Sequence, residues 1–351
     1  MSTALPDWAY ARGPVTAAAR IREAPEDFRV EEVLGFIADG DGPHRLLTVE
    51  KRNANTRWVA GQLARLAGVP ARDVGFAGLK DRKAVAVQHF TVPLPRGPEP
   101  DWMSMAGEGF CVVAALPHRR KLHPGALKGN RFRLMLRQMS EAPQSLVPRL
   151  ETIRDHGVPN YFGEQRFGRG GGNMARAERM FAGERIHDRK LRGLLLSTAR
   201  SVIFNQLLSL RIQAGSWDRL LPGEVLMLDG SHSVFCADAA DSDLQARIAS
   251  GDVHPTGPLW GSGELRSRDE SRQLDEQSAA AYPQLAAGLV ATQVEMARRA
   301  LRLPVREFGW VASDTTLELR FFLPAGAFAT AVLRELVRTD VDEEEADADA
   351  R

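Results

Sequence analysis

The run Gly78-Leu79-Lys80-Asp81-Arg82-Lys83 sets one carboxylate among three cations. Nearby positive charge favours the ionised form of an aspartate. An ionised carboxylate held on a loop can serve as nucleophile or base. The same run also suits a solvated, charged turn, and the local pattern alone does not choose. A second concentration of charge lies between His118 and Arg137: Arg119, Arg120, Lys121, Lys128, Arg131, Arg133 and Arg137. These could contact phosphates or face water from a strand. Phe28, Phe132 and Phe328 stand near turns or strand starts, where a ring could stack on a base or pack into the core.

Other chemistries find little support. The eight histidines are scattered, with no H-E-x-x-H and no close pair, so metal chemistry is poorly supported. Gly168-Arg169-Gly170-Gly171-Gly172-Asn173 lacks the G-K-[S/T] ending of a phosphate-binding loop. It reads as a flexible loop whose glycines would allow close approach to an RNA backbone. No G-x-S-x-G elbow is present. Cys111 and Cys236 lie far apart and outside any C-x-x-C pair. That argues against a disulfide framework or zinc knuckle and suits a reducing cytoplasm. No apolar run approaches the ~18 residues that span a bilayer. Met1 to Ala11 lacks the apolar stretch of a secretory signal.

The 351 residues suggest about two domains at roughly 150 residues each. The formal net charge of +1 hides an asymmetry: residues 340–351 carry seven acids and one arginine. Without them 45 basic and 38 acidic residues remain, a net of +7. Forty of the cations are arginines and six are lysines. Arginine suits bidentate phosphate contact, although a GC-rich genome favouring arginine codons would produce the same bias. The acidic end is too charged to pack and is expected to be disordered.

The elements that must position these residues follow from periodicity. Residues 26–34 alternate as a half-buried strand, and His44 to Lys51 reads as another. Asn55-Thr56 offers an N-cap for a helix with Val59, Leu63, Leu66 and Ala67 at helical spacing, closed by Gly68. Gly75 to Asp81 reads as a short strand into a loop, and Val85 to Val92 as a strand ended by prolines. Residues 93–104 form a surface loop, and residues 130–137 alternate with Phe132, Leu134 and Leu136 on one face. A helix is expected over Leu146 to His156, ended by Gly157 and Pro159, a candidate boundary. Leu194 to Ile212 is a long apolar helix. Short strands and loops are expected over 222–278, a helix with a basic end over Leu285 to Leu303, a strand over Thr316 to Leu323 and a last helix over Ala329 to Arg338. Without regular βαβ alternation the pattern is α+β.

Four stretches together resemble the TruD family of tRNA pseudouridine synthases. They are Pro25-Glu26-Asp27-Phe28; Phe76-Ala77-Gly78-Leu79-Lys80-Asp81-Arg82-Lys83; Leu127-Lys128-Gly129-Asn130-Arg131-Phe132 with the run Gly157-Val158-Pro159-Asn160-Tyr161-Phe162-Gly163-Glu164-Gln165-Arg166-Phe167-Gly168; and Leu323-Pro324-Ala325-Gly326-Ala327-Phe328-Ala329-Thr330 with Arg334-Glu335. They follow the family's order over nearly the whole chain. Leu79 stands where relatives often carry a polar residue or Met, and the acidic end is not a family hallmark.

The resemblance implies isomerisation of uridine to pseudouridine in tRNA, at position 13 in bacteria, without cofactor or metal. It implies Asp81 as the catalytic residue, with Phe28, Asn130 and Phe328 shaping the substrate pocket and Phe132 and Lys80 close by. Arg119, Arg120, Lys121 and Arg166 are candidate phosphate contacts. The implied fold is an α+β pseudouridine-synthase catalytic domain, residues 1–155 and 305–339, with a mixed or antiparallel sheet and flanking helices. A family-specific α+β domain, 156–304, is inserted in it. A monomer is the default for such a chain. Two rivals share the scaffold. One is a non-catalytic tRNA-binding or folding factor, which would have lost the acid at position 81. The other is a hydrolase using Asp81 with another carboxylate such as Glu26.

Overall fold

A computed structural model describes residues 5–95, 97–237 and 243–339. The acidic end at 340–351, expected to be disordered, lies outside the described residues. The principal elements, in chain order, are β1 (Phe28–Val33), β2 (His44–Arg52), α1 (Thr56–Ala67), β3 (Val85–Pro93), β4 (Phe110–His118), β5 (Gly129–Leu136), α2 (Val147–His156), α3 (Arg189–Gln213), β6 (Val253–Leu259), α4 (Asp269–Ala280), α5 (Pro283–Ala291), β7 (Ala297–Ala300), β8 (Arg306–Ala312), β9 (Leu317–Pro324) and α6 (Ala329–Arg334). The class is α+β. The chain divides into two compact units. One comprises Ala17–Val147 and Val305–Ala327; the other takes the described residues of Met1–Thr16, Pro148–Pro304 and Phe328–Arg351. The N-terminal stretch and the residues from Phe328 onward thus group with the middle of the chain, where the expected limits set them apart from it.

The first unit is built on one mixed sheet. Its long strands run in the order β8–β9–β5–β1–β3–β2–β4, with short strands at Gly75–Phe76 on β3 and Ala106–Gly107 on β4. Only the β1–β3 pair among these is parallel. Register places Glu32, Asn130 and Leu323 side by side on β1, β5 and β9, and Val30, Phe132 and Phe321 in the next row. Paired residues in an antiparallel ladder project from the same face. The alternation read at 130–137 therefore sets Asn130, Phe132, Leu134 and Leu136 together, and Leu134 and Leu136 are buried.

Helix α1 covers the same sheet at β3. Asn55 Oδ1 caps it by accepting from the backbone amides of Arg57 (2.8 Å) and Trp58 (3.4 Å). Gly68 ends it in the left-handed region at φ 68°. Val59, Leu63 and Ala67 pack with Leu47, Val49, Phe90 and Val92, each large side chain contributing about 1.5–3 kcal/mol by burial. Leu66 falls off that stripe and is 37% exposed. The expected surface loop at 93–104 contains a short 3-10 turn, Trp102–Ser104, whose Trp102 is buried in this core.

The second unit packs around α3, 25 residues long, whose Leu195, Ala199, Val202, Ile203, Phe204 and Leu207 are buried. A four-stranded antiparallel sheet, in the order Val234–Cys236, Val225–Leu228, β6, β7, lies in the same unit. Several expectations fail here. The helix read over Leu285 to Leu303 ends at Ala291; Gln293 takes φ 56°, and residues 297–300 pair with β6 as a strand. The supposed basic helix end is instead an internal charge pair, Arg298 donating to Asp275 at 2.7 Å. Residues 222–278 hold two helices, Leu244–Ser250 and α4, besides the expected short strands. The buried face of α4 is Ser271, Asp275, Ser278 and Ala279, so it carries no apolar period to read. The last helix stops at Arg334 rather than Arg338. The glycine-rich run is not an open loop: it forms one short 3-10 turn, Arg169–Gly171, that leads into a helix over Gly172–Phe181. Cys111 and Cys236 are free. Among the described residues no helix is long and apolar enough to cross a membrane.

Candidate active site

The loop that carries Asp81 is held from beneath by buried polar groups. Lys51, fully buried on β2, donates its ammonium to the carbonyls of Ala54 (2.7 Å), Asp81 (2.9 Å) and Lys80 (3.4 Å). Gln88 on β3 donates to the Gly78 carbonyl at 2.7 Å. Thr56, the first residue of α1, accepts from the Lys80 amide at 3.1 Å and donates to Gln88 Oε1 at 3.0 Å. Buried polar groups that are fully bonded fix geometry more firmly than apolar contacts do. The loop thus turns at a defined place with its carboxylate outward.

Lys80 points the other way. Its ammonium meets Glu32 Oε1 at 2.6 Å, with the Glu32 side chain wholly buried. The other Glu32 oxygen accepts from the His89 backbone amide at 2.9 Å. Burial works to raise the Glu32 carboxyl, but bonds from His89 and the Lys80 charge outweigh it and hold the group below its ordinary range.

Asp81 faces an arginine that is distant in sequence. Arg22 Nη2 reaches Asp81 Oδ2 at 2.5 Å. The Arg22 side chain is 11% exposed and that of Asp81 38%, so the pair sits at the rim of solvent. The same guanidinium lies 4.2 Å from the centre of the Phe28 ring, within cation–π range. Phe28 meets Phe132 edge to face at 6.1 Å, and Phe132 stacks on Phe321 at 5.3 Å. Phe28 is buried rather than open to stack on a base. Asn130 stands beside Glu32 in register. Its Oδ1 is buried and accepts no hydrogen bond among the described residues, a state that invites a donor from a ligand. The glycine before it has a packing reason: a Cβ at Gly129 would stand 2.2 Å from the Leu323 carbonyl oxygen.

Lys80, Asp81, Phe28, Asn130 and Phe132 therefore belong to one unit and share a chain of contacts and register. Phe328 belongs to the other unit, at the N-cap of α6, and packs against that unit's core. Arg166 is there too, donating to Ser197 Oγ at 3.2 Å, with its guanidinium 6.0 Å from the Phe328 ring. Of the three other phosphate candidates, Arg119 is bound by Asp41 at 2.7 Å, Lys121 donates to the Arg72 carbonyl at 2.5 Å, and Arg120 is exposed. Further along the basic stretch, Arg131, Arg133 and Arg137 pair with Glu307, Glu318 and Asp27. Much of that stretch is thus balanced by acids on neighbouring elements.

Arg22, Glu32, Lys51, Thr56 and Gln88 escaped the sequence reading. Lys51 left a signal: it shares the inward face of β2 with Leu47 and Val49, where an isolated cation is out of place. Arg22 left none, since it lies in an unpatterned segment and takes φ 60°.

The sequence model of the TruD family, tRNA pseudouridine synthase D, matches residues 9–175 and 173–336. A tRNA pseudouridine synthase D of Nitrosococcus oceani is 48% identical over 336 residues, covering 94% of each chain. One of Methylococcus capsulatus is 46% identical over 336 residues and 95% of each chain. A solved structure from Methanosarcina mazei, described as a candidate tRNA pseudouridine synthase D (TruD), superposes with a TM-score of 0.71 over 96% of this chain and 95% of its own, at 19% identity. That likeness carries the fold, and the sequence matches carry the family: this chain belongs to the TruD family of tRNA pseudouridine synthases.

Proposed function

We propose that this protein isomerises uridine to pseudouridine in tRNA, at position 13, with Asp81 as the catalytic carboxylate. The observation that carries the reading is the setting of Asp81: its backbone is anchored by buried Lys51 while its carboxylate meets Arg22 at 2.5 Å at the edge of solvent. The reaction detaches uracil from its ribose, turns the base and rejoins it through a ring carbon. Asp81 would act at the anomeric carbon or as the base for elimination to a glycal. Either route needs a carboxylate fixed in direction, which Arg22 supplies. Extruding the target base from its stack costs a few kcal/mol. Packing of the base against Phe132, with the Asn130 Oδ1 accepting from the base or ribose, would offset that. Phe28 acts from beneath, as the platform for Arg22.

The domain division is part of the same reading: a catalytic domain interrupted by a family-specific insertion, working as a cytoplasmic monomer. Glu26, the second carboxylate of the rival hydrolase, is engaged by Arg52 at 2.6 Å. The test is to incubate unmodified tRNA with the protein and map pseudouridine by chemical labelling. Wild type should label one site in tRNA, and Asp81→Asn should fold and bind tRNA without converting it. Near-normal turnover by that variant sinks the assignment, and release of free uracil supports the hydrolase.

A further inference from the structure

The long signature Asn160-Tyr161-Phe162-Gly163-Glu164-Gln165-Arg166 is built, within its own unit, around two arginines. Arg299 on β7 lies 4.2 Å from the centre of the Phe162 ring, and Arg166 lies 5.7 Å from the same ring. Asn160 steers Arg299 by accepting from its Nη2 at 2.5 Å, while the Asn160 backbone carbonyl accepts from Nε at 3.3 Å. The platform itself is locked: Asn205 on α3 bonds both the amide and the carbonyl of Phe162 at 2.9 Å. Thr198, also on α3, donates to the Arg166 carbonyl at 3.0 Å, and Ser197 accepts from the Arg166 side chain. Three signature positions, 160, 162 and 166, and three polar residues of one helix thus converge on holding two guanidinium groups about one ring. Both residues are partly exposed as a whole, and the Arg299 guanidinium is the more deeply enclosed of the two.

Two cations brought this close repel. Burial, and after it the neighbouring Arg166, push the Arg299 guanidinium down to about 10, and burial also lowers Arg166. An anion received between them would relieve both effects, and the planar forks of arginine match a phosphate. We propose that Arg166 and Arg299 form a clamp for a backbone phosphate of the RNA substrate, with Phe162 as its floor. The clamp rests on the reading of the chain as a tRNA-acting enzyme. It would hold the strand beside Phe328, whose ring Arg166 also faces at 6.0 Å.

The test is tRNA binding over a salt series for wild type, Arg166→Gln, Arg166→Lys and Arg299→Gln, with a thermal melt of each. Loss of one charged phosphate contact should weaken binding on the order of tenfold or more. It should also flatten the log–log salt dependence by roughly 0.7–0.9. Arg166→Lys should recover part of the affinity and most of the slope, and in turnover the loss should fall on KM more than on kcat. A merely structural arginine would move the melt and leave the slope alone. A folded Arg166→Gln that binds tRNA with wild-type affinity and slope overturns the clamp, and this holds even if Arg299→Gln does not fold. Inorganic phosphate is titrated separately into the wild-type protein. Saturation by it at micromolar levels, lost in the variants, would mark a free-anion site and also overturn the RNA clamp. A wild type that binds tRNA but forms no pseudouridine would sink the proposed activity and leave the clamp readable.

Discussion

Lys51 donates to the backbone carbonyl of Asp81 at 2.9 Å from a fully buried position. The proposed catalytic residue is thus fixed by its main chain on one side and by Arg22, through its carboxylate, on the other. The two restraints can be separated by mutation.

Lys51→Met keeps the side-chain length and removes the donor. The Ala54 and Asp81 carbonyls would then lie without their partner, and leaving buried acceptors unmet costs about 2–6 kcal/mol for two such groups. Urea denaturation should show that loss. Turnover should fall further than the loss of folded protein explains, because the Asp81 loop relaxes. Full activity of the remaining folded fraction would show that the loop is held adequately without Lys51.

Arg22 acts on the carboxylate directly, so its removal should leave the fold nearly intact and depress kcat. Arg22→Ala should cost one to a few orders of magnitude in turnover, of the size seen when a preorganised charge partner is lost. Arg22→Lys should restore only part of it, since an ammonium cannot also lie over Phe28 as a planar group does. Combining Arg22→Ala with Asp81→Asn should give little beyond Asp81→Asn alone. Simple additivity in that cycle would mean that the pair does not act as a unit.

Asn130 offers a contrast. Its Oδ1 has no partner among the described residues, so Asn130→Ala removes no hydrogen bond seen at that atom. Stability should change little, while kcat/KM for tRNA should drop by roughly 10- to 100-fold if the atom meets the substrate. A large fall in the melting temperature with normal kinetics would assign Asn130 to structure.

Glu32 ties the site to pH. Its carboxyl titrates lower in the folded chain than in the unfolded one, where it sits near ~4.3. The folded state then binds fewer protons, so this group's contribution is present above the unfolded value. It is lost as pH falls through the lower, folded value. Glu32→Gln should therefore be less stable than wild type at neutral pH, with the gap narrowing as the solution is acidified below pH ~4. A gap that stays constant down to acid unfolding would remove the Lys80–Glu32 pair as its source.

The local elements of the first unit were legible because they obey a period or carry a cap. Asn55 and Gly68 bracket α1 where the sequence places them, and the alternation at β1, β2 and β5 gives the strands within a residue or two. Legibility failed where tertiary pairing chose the outcome. Residues 297–300 suit a helix by composition, yet they pair with β6, and Arg298 finds Asp275. At the candidate site, Asp81 and Asn130 were visible through motifs. Arg22 and Glu32 were not, because their roles exist only once β1 lies between β3 and β5.

That strand order also sets when the sheet can close. Strand β9 pairs with β5 along its whole length, Leu317 opposite Leu136 through Pro324 opposite Gly129, although some 180 residues separate them. On the ribosome, β5 is made long before β9 and must wait while the intervening unit is synthesised. Through that interval the outer edge of β5, the strand that carries Asn130 and Phe132, is an open template for pairing with another chain. A nascent chain stalled before residue 317 is therefore the species most exposed to aggregation. The last-made strand of this sheet acts, in effect, as its seal.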